Sequence, residues 1–294
     1  MYLDHFGLEQ YPFTLTPDTE FFLEYGEFKD GLDVLQYAIS SGAGFTKLTG
    51  DVGTGKTLLC RKLLKSLDES VVTAFISNPS INPHALNLAL AKEIGMENTS
   101  EYGQSRLLEM INEQLLSLHA EGRQVVLLLD EAQTLPDDSM EALRQYSNFE
   151  TEKNKLLNLI IVGQPELDAR LEQESLRTLR QRILFSHTLK PLDPDALNVY
   201  VQHRLHVAGY RGVPLFSPDA QKLLQGGSQG LPRLINILAH KAMLVAYGRG
   251  ETVVQASPMR KAIMDTDSRN AQERKRAKLT TALSGILDLS PARV

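Results

Sequence analysis

Eight consecutive residues constrain this chain more than any other stretch. Gly50-Asp51-Val52-Gly53-Thr54-Gly55-Lys56-Thr57 fits the pattern G-x-x-x-x-G-K-[ST], with the apolar run Phe45–Thr49 before it and a helix-like stretch from Leu58 after it. Glycines at these places let successive backbone N–H groups curl around phosphate oxygens. The start of the following helix adds a favourable dipole. In such a loop Lys56 neutralises β- and γ-phosphate charge, and the Thr57 hydroxyl is a ligand for Mg²⁺. The main chain from Gly50 to Leu58 is therefore the expected nucleotide cradle.

A second element belongs with the first. Val125–Leu129 is a continuous apolar run, as expected of a strand buried on both faces, and it ends in Asp130-Glu131. That strand brings carboxylates to its C-terminal end beside the phosphate loop. Asp130 is expected to hold Mg²⁺ through water, and Glu131 to act as general base on a water attacking the γ-phosphorus.

Around these motifs the hydrophobic pattern alternates. Apolar runs at 45–49, 71–77, 125–129, 157–162 and 185–189 are separated by stretches with apolar residues at helical spacing, at 56–67, 83–94, 104–121 and 139–151. Alternation of this kind predicts a P-loop α/β fold, a five-stranded parallel sheet between helices, over 27–190. From 191 to 265 strand-like runs nearly vanish, and helices opened by proline are expected at 194–207, 218–225, 232–247 and 258–264. This predicts a small helical lid domain. Residues 1–26, rich in aromatics and prolines, read as an irregular arm laid over the body. Residues 266–294 read as a basic tail, since Arg260–Lys278 holds seven basic residues against three acidic ones.

Bulk properties narrow the function classes. A net charge of −5 gives no global attraction to nucleic acid or anionic membrane, so DNA is not the favoured partner. The single cysteine, Cys60, forms no intrachain disulfide and suits the cytosol. No basic start with an apolar stretch opens the chain and no run of eighteen apolar residues occurs, so a cytoplasmic protein without a transmembrane segment is expected.

With the two motifs in place, the rest of the chain resembles the AAA+ ATPases, which makes ATP the implied nucleotide. Strand four ends in Val162-Gly163-Gln164, where those proteins carry the polar sensor 1 residue, and Gln164 stands where Asn, Ser or Thr is usual. Arg180 and Arg182, in Leu179-Arg180-Gln181-Arg182-Ile183, stand where such proteins present an arginine finger to a neighbouring subunit, which implies self-association. Arg233, in Gly230-Leu231-Pro232-Arg233, resembles the sensor 2 arginine that reaches back to the nucleotide. Asn78, after strand two, stands where a polar residue restrains the base glutamate. Loop capping is the plainer reading of Asn78.

A closer resemblance follows from motif order. FGL at 6–8, PF at 12–13, TPD at 16–18, GDVGTGKT, LLLDEAQ, GQPEL, LRQRI and the closing GLPRLIN with HKAMLVAYGRG are similar to the ExeA/GspA family of secretion and pilus ATPases. Members often continue into a transmembrane segment and a peptidoglycan-binding domain, for which about thirty residues remain here, so the short, pilus-associated form is the one resembled. The resemblance implies an ATPase working with membrane-bound assembly proteins of a type IV pilus or secretion-like machine. Two other readings stand beside it. One is a transposition ATPase of the TniB or MuB kind assembling on DNA, and the other is a nucleotide-gated oligomerisation switch with little turnover. Asp130-Glu-Ala-Gln133 also has the look of a helicase motif, but nothing after Pro191 supplies the strands of a second RecA-like domain.

Overall fold

The computed structural model describes residues 2–77 and 79–267. These divide into two compact units: one is Pro17–Leu192, and the other joins the segment before Pro17 to the segment from Asp193 onward.

The larger unit is a parallel sheet of five strands, β1 (Phe45–Gly50), β2 (Val71–Ile76), β3 (Gln124–Leu129), β4 (Leu157–Gly163) and β5 (Ile183–Leu189). Their spatial order is β2-β3-β4-β1-β5. β4 is buried along its whole length and β3 at every residue but Gln124, as a strand covered on both faces must be. β5 lies at an edge and alternates instead, with Leu184 67% exposed.

Helix α2 (Glu27–Ser40) leads into β1, and α3 (Lys56–Ser66), α4 (Pro83–Glu93), α5 (Gln104–Ala120), α6 (Asp137–Tyr146), α7 (Pro165–Leu171) and α8 (Arg177–Arg180) fill the crossovers. The apolar stripes of α4 to α8 meet the strands in one core that includes Leu86, Leu90, Ile111, Leu115, Leu127, Leu159 and Leu167. α4 shows why the local sequence starts a helix where it does. The Asn82 side chain accepts the Ala85 N–H, and Pro83 supplies a φ suited to the first turn.

One local expectation changes. The helix expected over 139–151 begins earlier, at Asp137, and ends at Tyr146. Past that point Ser147 N donates to Arg144 O, and the chain turns so that Phe149 stacks on Tyr146 at a centroid distance of 5.7 Å and joins the core. Gln164 sits at the N-cap of α7, with proline again at the first helical position.

The smaller unit is helical: α9 (Pro194–Val207), α10 (Pro218–Ser228), α11 (Pro232–Gly248) and a further helix over 256–267, with a single parallel bridge between Phe216 and Val254. Asp193 and Ser217 cap the first two through their side chains.

The segment 1–26, expected as one irregular arm, is shared between the units. Its start forms a short helix, α1 (Tyr2–Phe6), that packs against α11, with the Tyr2 hydroxyl on Met243 Sδ at 3.3 Å. Buried Arg204 donates to Pro12 O and, at 3.1 Å, to the Tyr200 hydroxyl, which in turn donates to Asn236. Asn236 Nδ2 donates to Thr14 O at 3.2 Å. The rest of the segment lies along α3, where Arg61 donates to Pro17 O, Lys65 to Thr19 Oγ1, and Lys62 pairs with Glu24. Most of the expected tail lies outside the described residues. Among the described residues no helix is long and apolar enough to cross a membrane.

Candidate functional site

The glycine loop leaves β1 at Gly50 and enters α3 at Lys56. Gly53 and Gly55 take φ values of 85° and 101°, in the left-handed region that side-chain-bearing residues avoid. Gly55 is constrained twice, because a Cβ there would sit 2.9 Å from the Phe28 ring. Buried Thr54 ties the loop to itself, its hydroxyl donating to Asp51 O at 2.9 Å, while Val52 is exposed at the tip. Lys56 Nζ donates to Gly50 O at 2.7 Å and to Asp51 O at 3.0 Å, so the ammonium lies across the mouth of the loop.

Asp130 and Glu131 follow β3, and the strand order sets β4 between β3 and β1. Thr57 Oγ1 donates to Asp130 Oδ2 at 2.8 Å, joining the start of α3 to the end of β3 across 73 residues of sequence. Asp130 Oδ1 accepts the Glu131 N–H at 2.9 Å. Glu131 has φ 57° and ψ 36°, a left-handed conformation for a residue with a full side chain. Such a conformation costs about 1–3 kcal/mol and persists only where its surroundings enforce it.

The surroundings are two glutamines. Gln164 Nε2 donates to Glu131 Oε2 at 3.0 Å and Gln133 Nε2 donates to the same oxygen at 2.5 Å. Gln164 is the residue read as a sensor, and it does meet the glutamate. Gln133 was not singled out as a site residue, since a glutamine two places beyond a carboxylate has no spacing signature. Neither was Arg170, which donates to Gln133 O at 2.9 Å and Leu135 O at 2.6 Å.

Two opposed charges are buried here. Burial pulls the Lys56 ammonium below its ordinary value, against the carboxylates of Glu131, Asp130 and Asp51. Burial also raises Asp130, while the Thr57 hydroxyl and the Glu131 N–H pull the other way. Cys60, fully buried in α3, has its thiol pushed well up by the same cause and is inert. A buried carboxylate beside a hydroxyl is a hard-oxygen donor pair that fits Mg²⁺, which prefers one or two carboxylates plus phosphate and water oxygens to an all-protein cage. Among the described residues no group of three or more His, Cys, Asp or Glu forms such a cage.

Arg180 pairs with Glu172 at 2.5 Å. Arg182 is exposed, and its charge helps hold Glu150 below its usual value, after the direct hydrogen bond from Lys155. Arg233 is an exposed residue in the first turn of α11, in the helical unit. Asn78 lies outside the described residues.

A five-stranded parallel sheet in this order, with its glycine loop after β1 and an acid pair after β3, is the fold of a P-loop NTPase of the AAA class. A match to the AAA domain family covers residues 39–171. The general secretion pathway protein A of Aeromonas hydrophila is 36% identical over 287 residues, which is 98% of this chain and 52% of that protein. The chain is thus similar to AAA domains over its sheet-bearing part and to that secretion protein over nearly its own whole length, and it spans about half the length of that relative.

Solved structures agree on the fold. The Aeropyrum pernix ORC1 protein, determined in complex with DNA, superposes with a TM-score of 0.66 at 18% identity over 96% of this chain and 76% of its own. Cdc6p of Pyrobaculum aerophilum gives 0.64 at 18% identity over 83% and 70%. The RuvB branch migration motor of Thermotoga maritima gives 0.54 at 16% identity over 81% and 67%.

Proposed function

We propose that this chain binds ATP with Mg²⁺ and hydrolyses it, and that turnover drives or regulates assembly of an envelope machine. The observation that carries the proposal is the Thr57–Asp130 hydrogen bond of 2.8 Å, which joins the phosphate loop to the acid pair and brings Glu131 beside it. In this reading the backbone N–H groups of 50–58 cradle the phosphates and Lys56 releases its loop carbonyls to take up phosphate charge. Thr57 and Asp130 are the residues that would hold Mg²⁺, which when bound neutralises charge between the β- and γ-phosphates. Glu131 orients a water and accepts its proton, and Gln164 fixes the glutamate.

Arg180 or Arg182 is proposed to act in trans on a neighbouring subunit, which makes the active form an oligomer. Arg233 is proposed to couple the helical unit to phosphate state, and Asn78 to restrain Glu131. The likeness to a general secretion pathway protein supports a secretion machine as the partner; membrane-bound secretion or pilus assembly proteins, met from the cytoplasm at the inner membrane, are proposed with it. In its narrowest form the proposal is a role like that of the MSHA pilus biogenesis protein MshM.

The test is Mg·ATP binding and phosphate release by the purified chain, with and without DNA, for wild type, Lys56→Ala and Glu131→Gln. The reading expects Lys56→Ala to lose nucleotide affinity, and Glu131→Gln to keep ATP and stop turnover. Turnover that appears only with DNA points to a transposition-type ATPase. Tight binding with negligible phosphate release points to a nucleotide-gated switch. No affinity for Mg·ATP overturns the proposal.

A further inference from the structure

We infer that Gln133 is a positioning residue for the base, and that Arg170 locks Gln133 in that task. The inference rests on the reading of Glu131 as the base.

The geometry of the Gln133 side chain carries it. Its amide is used at both ends: Nε2 donates to Glu131 Oε2 at 2.5 Å, and Oε1 accepts the Gln164 N–H at 3.1 Å. The second bond fixes which way the amide faces, because only the oxygen can accept from a backbone N–H. The NH₂ group is thereby committed to the glutamate. Gly163 makes the approach possible, since a Cβ at that position would lie 2.9 Å from Gln133 Oε1.

Arg170 supplies the second half. Its guanidinium donates to the main-chain carbonyls of Gln133 and Leu135 and pairs with Asp137 at 2.5 Å. Three acceptors on one planar group pin the turn after Glu131 to α7. Pinning of this kind is what a left-handed glutamate requires. Both Gln133 and Gln164 donate to Oε2, and among the described residues no hydrogen bond to Oε1 is present. The carboxylate is therefore held by one oxygen and offers the other to a water. The role assigned to Gln133 is exerted through Glu131, which its NH₂ group meets.

The experiment is steady-state phosphate release by the full chain carrying Gln133→Met, which keeps length and removes the donor. Mg·ATP affinity and thermal unfolding are measured on the same samples. The expected result is a kcat lower by roughly 10- to 100-fold, the scale of a misplaced reacting group, with KM and nucleotide affinity within about twofold of wild type. Gln133→Glu, which sets a second carboxylate against Glu131, is expected to lose at least as much. Wild-type kcat in Gln133→Met, in an assay where Glu131→Gln is silent, overturns the inference. So does a loss confined to ATP affinity. Where Gln133→Met does not fold, Arg170→Lys decides by the same split, because an ammonium cannot span all three acceptors. Retained turnover in Glu131→Gln brings down the parent reading itself, a result distinct from failure at Gln133 alone.

Discussion

Lys56 and Asp130 are 6% and 2% exposed, and burial disfavours the charged form of each. The sign of the consequence is fixed by linkage. A carboxyl raised in the folded state binds its proton more tightly there than in the unfolded chain, so it lowers stability at every pH above its folded value. An ammonium lowered in the folded state does the same at every pH below its own. At neutral pH both charges therefore cost stability, which is the mark of groups kept for a ligand rather than for the fold. Asp130→Asn should accordingly raise the melting temperature of the nucleotide-free protein near neutrality, on a scale of about 2–4 °C for each kcal/mol relieved. The gap should close as pH falls through the folded-state value of Asp130, where the wild type sheds the charge. Differential scanning fluorimetry across pH checks both points, and the same variant should lose Mg²⁺-dependent turnover. A melting temperature that drops on Asp130→Asn would show that the hydrogen bonds to Thr57 and Glu131 outweigh the buried charge.

Among elements, the junction of the loop with α3 is tightly constrained. Gly55 needs a left-handed φ of 101° and has the Phe28 ring where a side chain would go. Gly55→Ala should cost about 1–2 kcal/mol for the backbone and a further ~1–3 kcal/mol for the overpacking. It should also weaken Mg·ATP binding, since relief comes most readily by moving the loop. Chemical denaturation and nucleotide titration measure the two effects. A buried strand offers the comparison: Leu127→Ala in β3, fully buried, should cost about 2–5 kcal/mol while leaving nucleotide affinity per folded molecule unchanged. In the helical unit, Arg204→Met would leave Pro12 O and the Tyr200 hydroxyl without their donor, at a cost of about 1–3 kcal/mol for a buried unsatisfied group. Calorimetric unfolding of the full chain checks it. The first turn of sequence released from that unit should then become sensitive to protease.

At the scale of the whole molecule, the proposed trans arginine makes activity depend on concentration. Arg180 is occupied with Glu172, whereas Arg182 is exposed, so Arg182→Ala is expected to lower turnover more than Arg180→Ala. Mixing Arg182→Ala with Glu131→Gln should recover part of the activity, because one partner contributes the guanidinium and the other the intact base. Phosphate release against subunit ratio tests this, and a flat response overturns action in trans. Arg233 belongs to the other unit, and its substitution is expected to alter turnover more than the folding of the sheet.

The parts of this protein fixed by sequence alone are those whose chemistry is local in the chain. The loop from Gly50 to Thr57, the buried strand ending in Asp130-Glu131 and the alternation that makes a parallel sheet are all written within a few residues, because φ preferences, side-chain period and phosphate-binding geometry act over that range. Helix ends were less legible: the turn at Tyr146 follows from Phe149 finding the core, which no local propensity records. The setting of Glu131 was decided only in three dimensions. Gln133, Gln164 and Arg170 meet there because β4 is inserted between β3 and β1 and α7 leaves its end, and strand order is a property of the whole sheet. The division of residues 1–26 is of the same kind, since aromatic content marks a segment for burial without saying which surface will bury it.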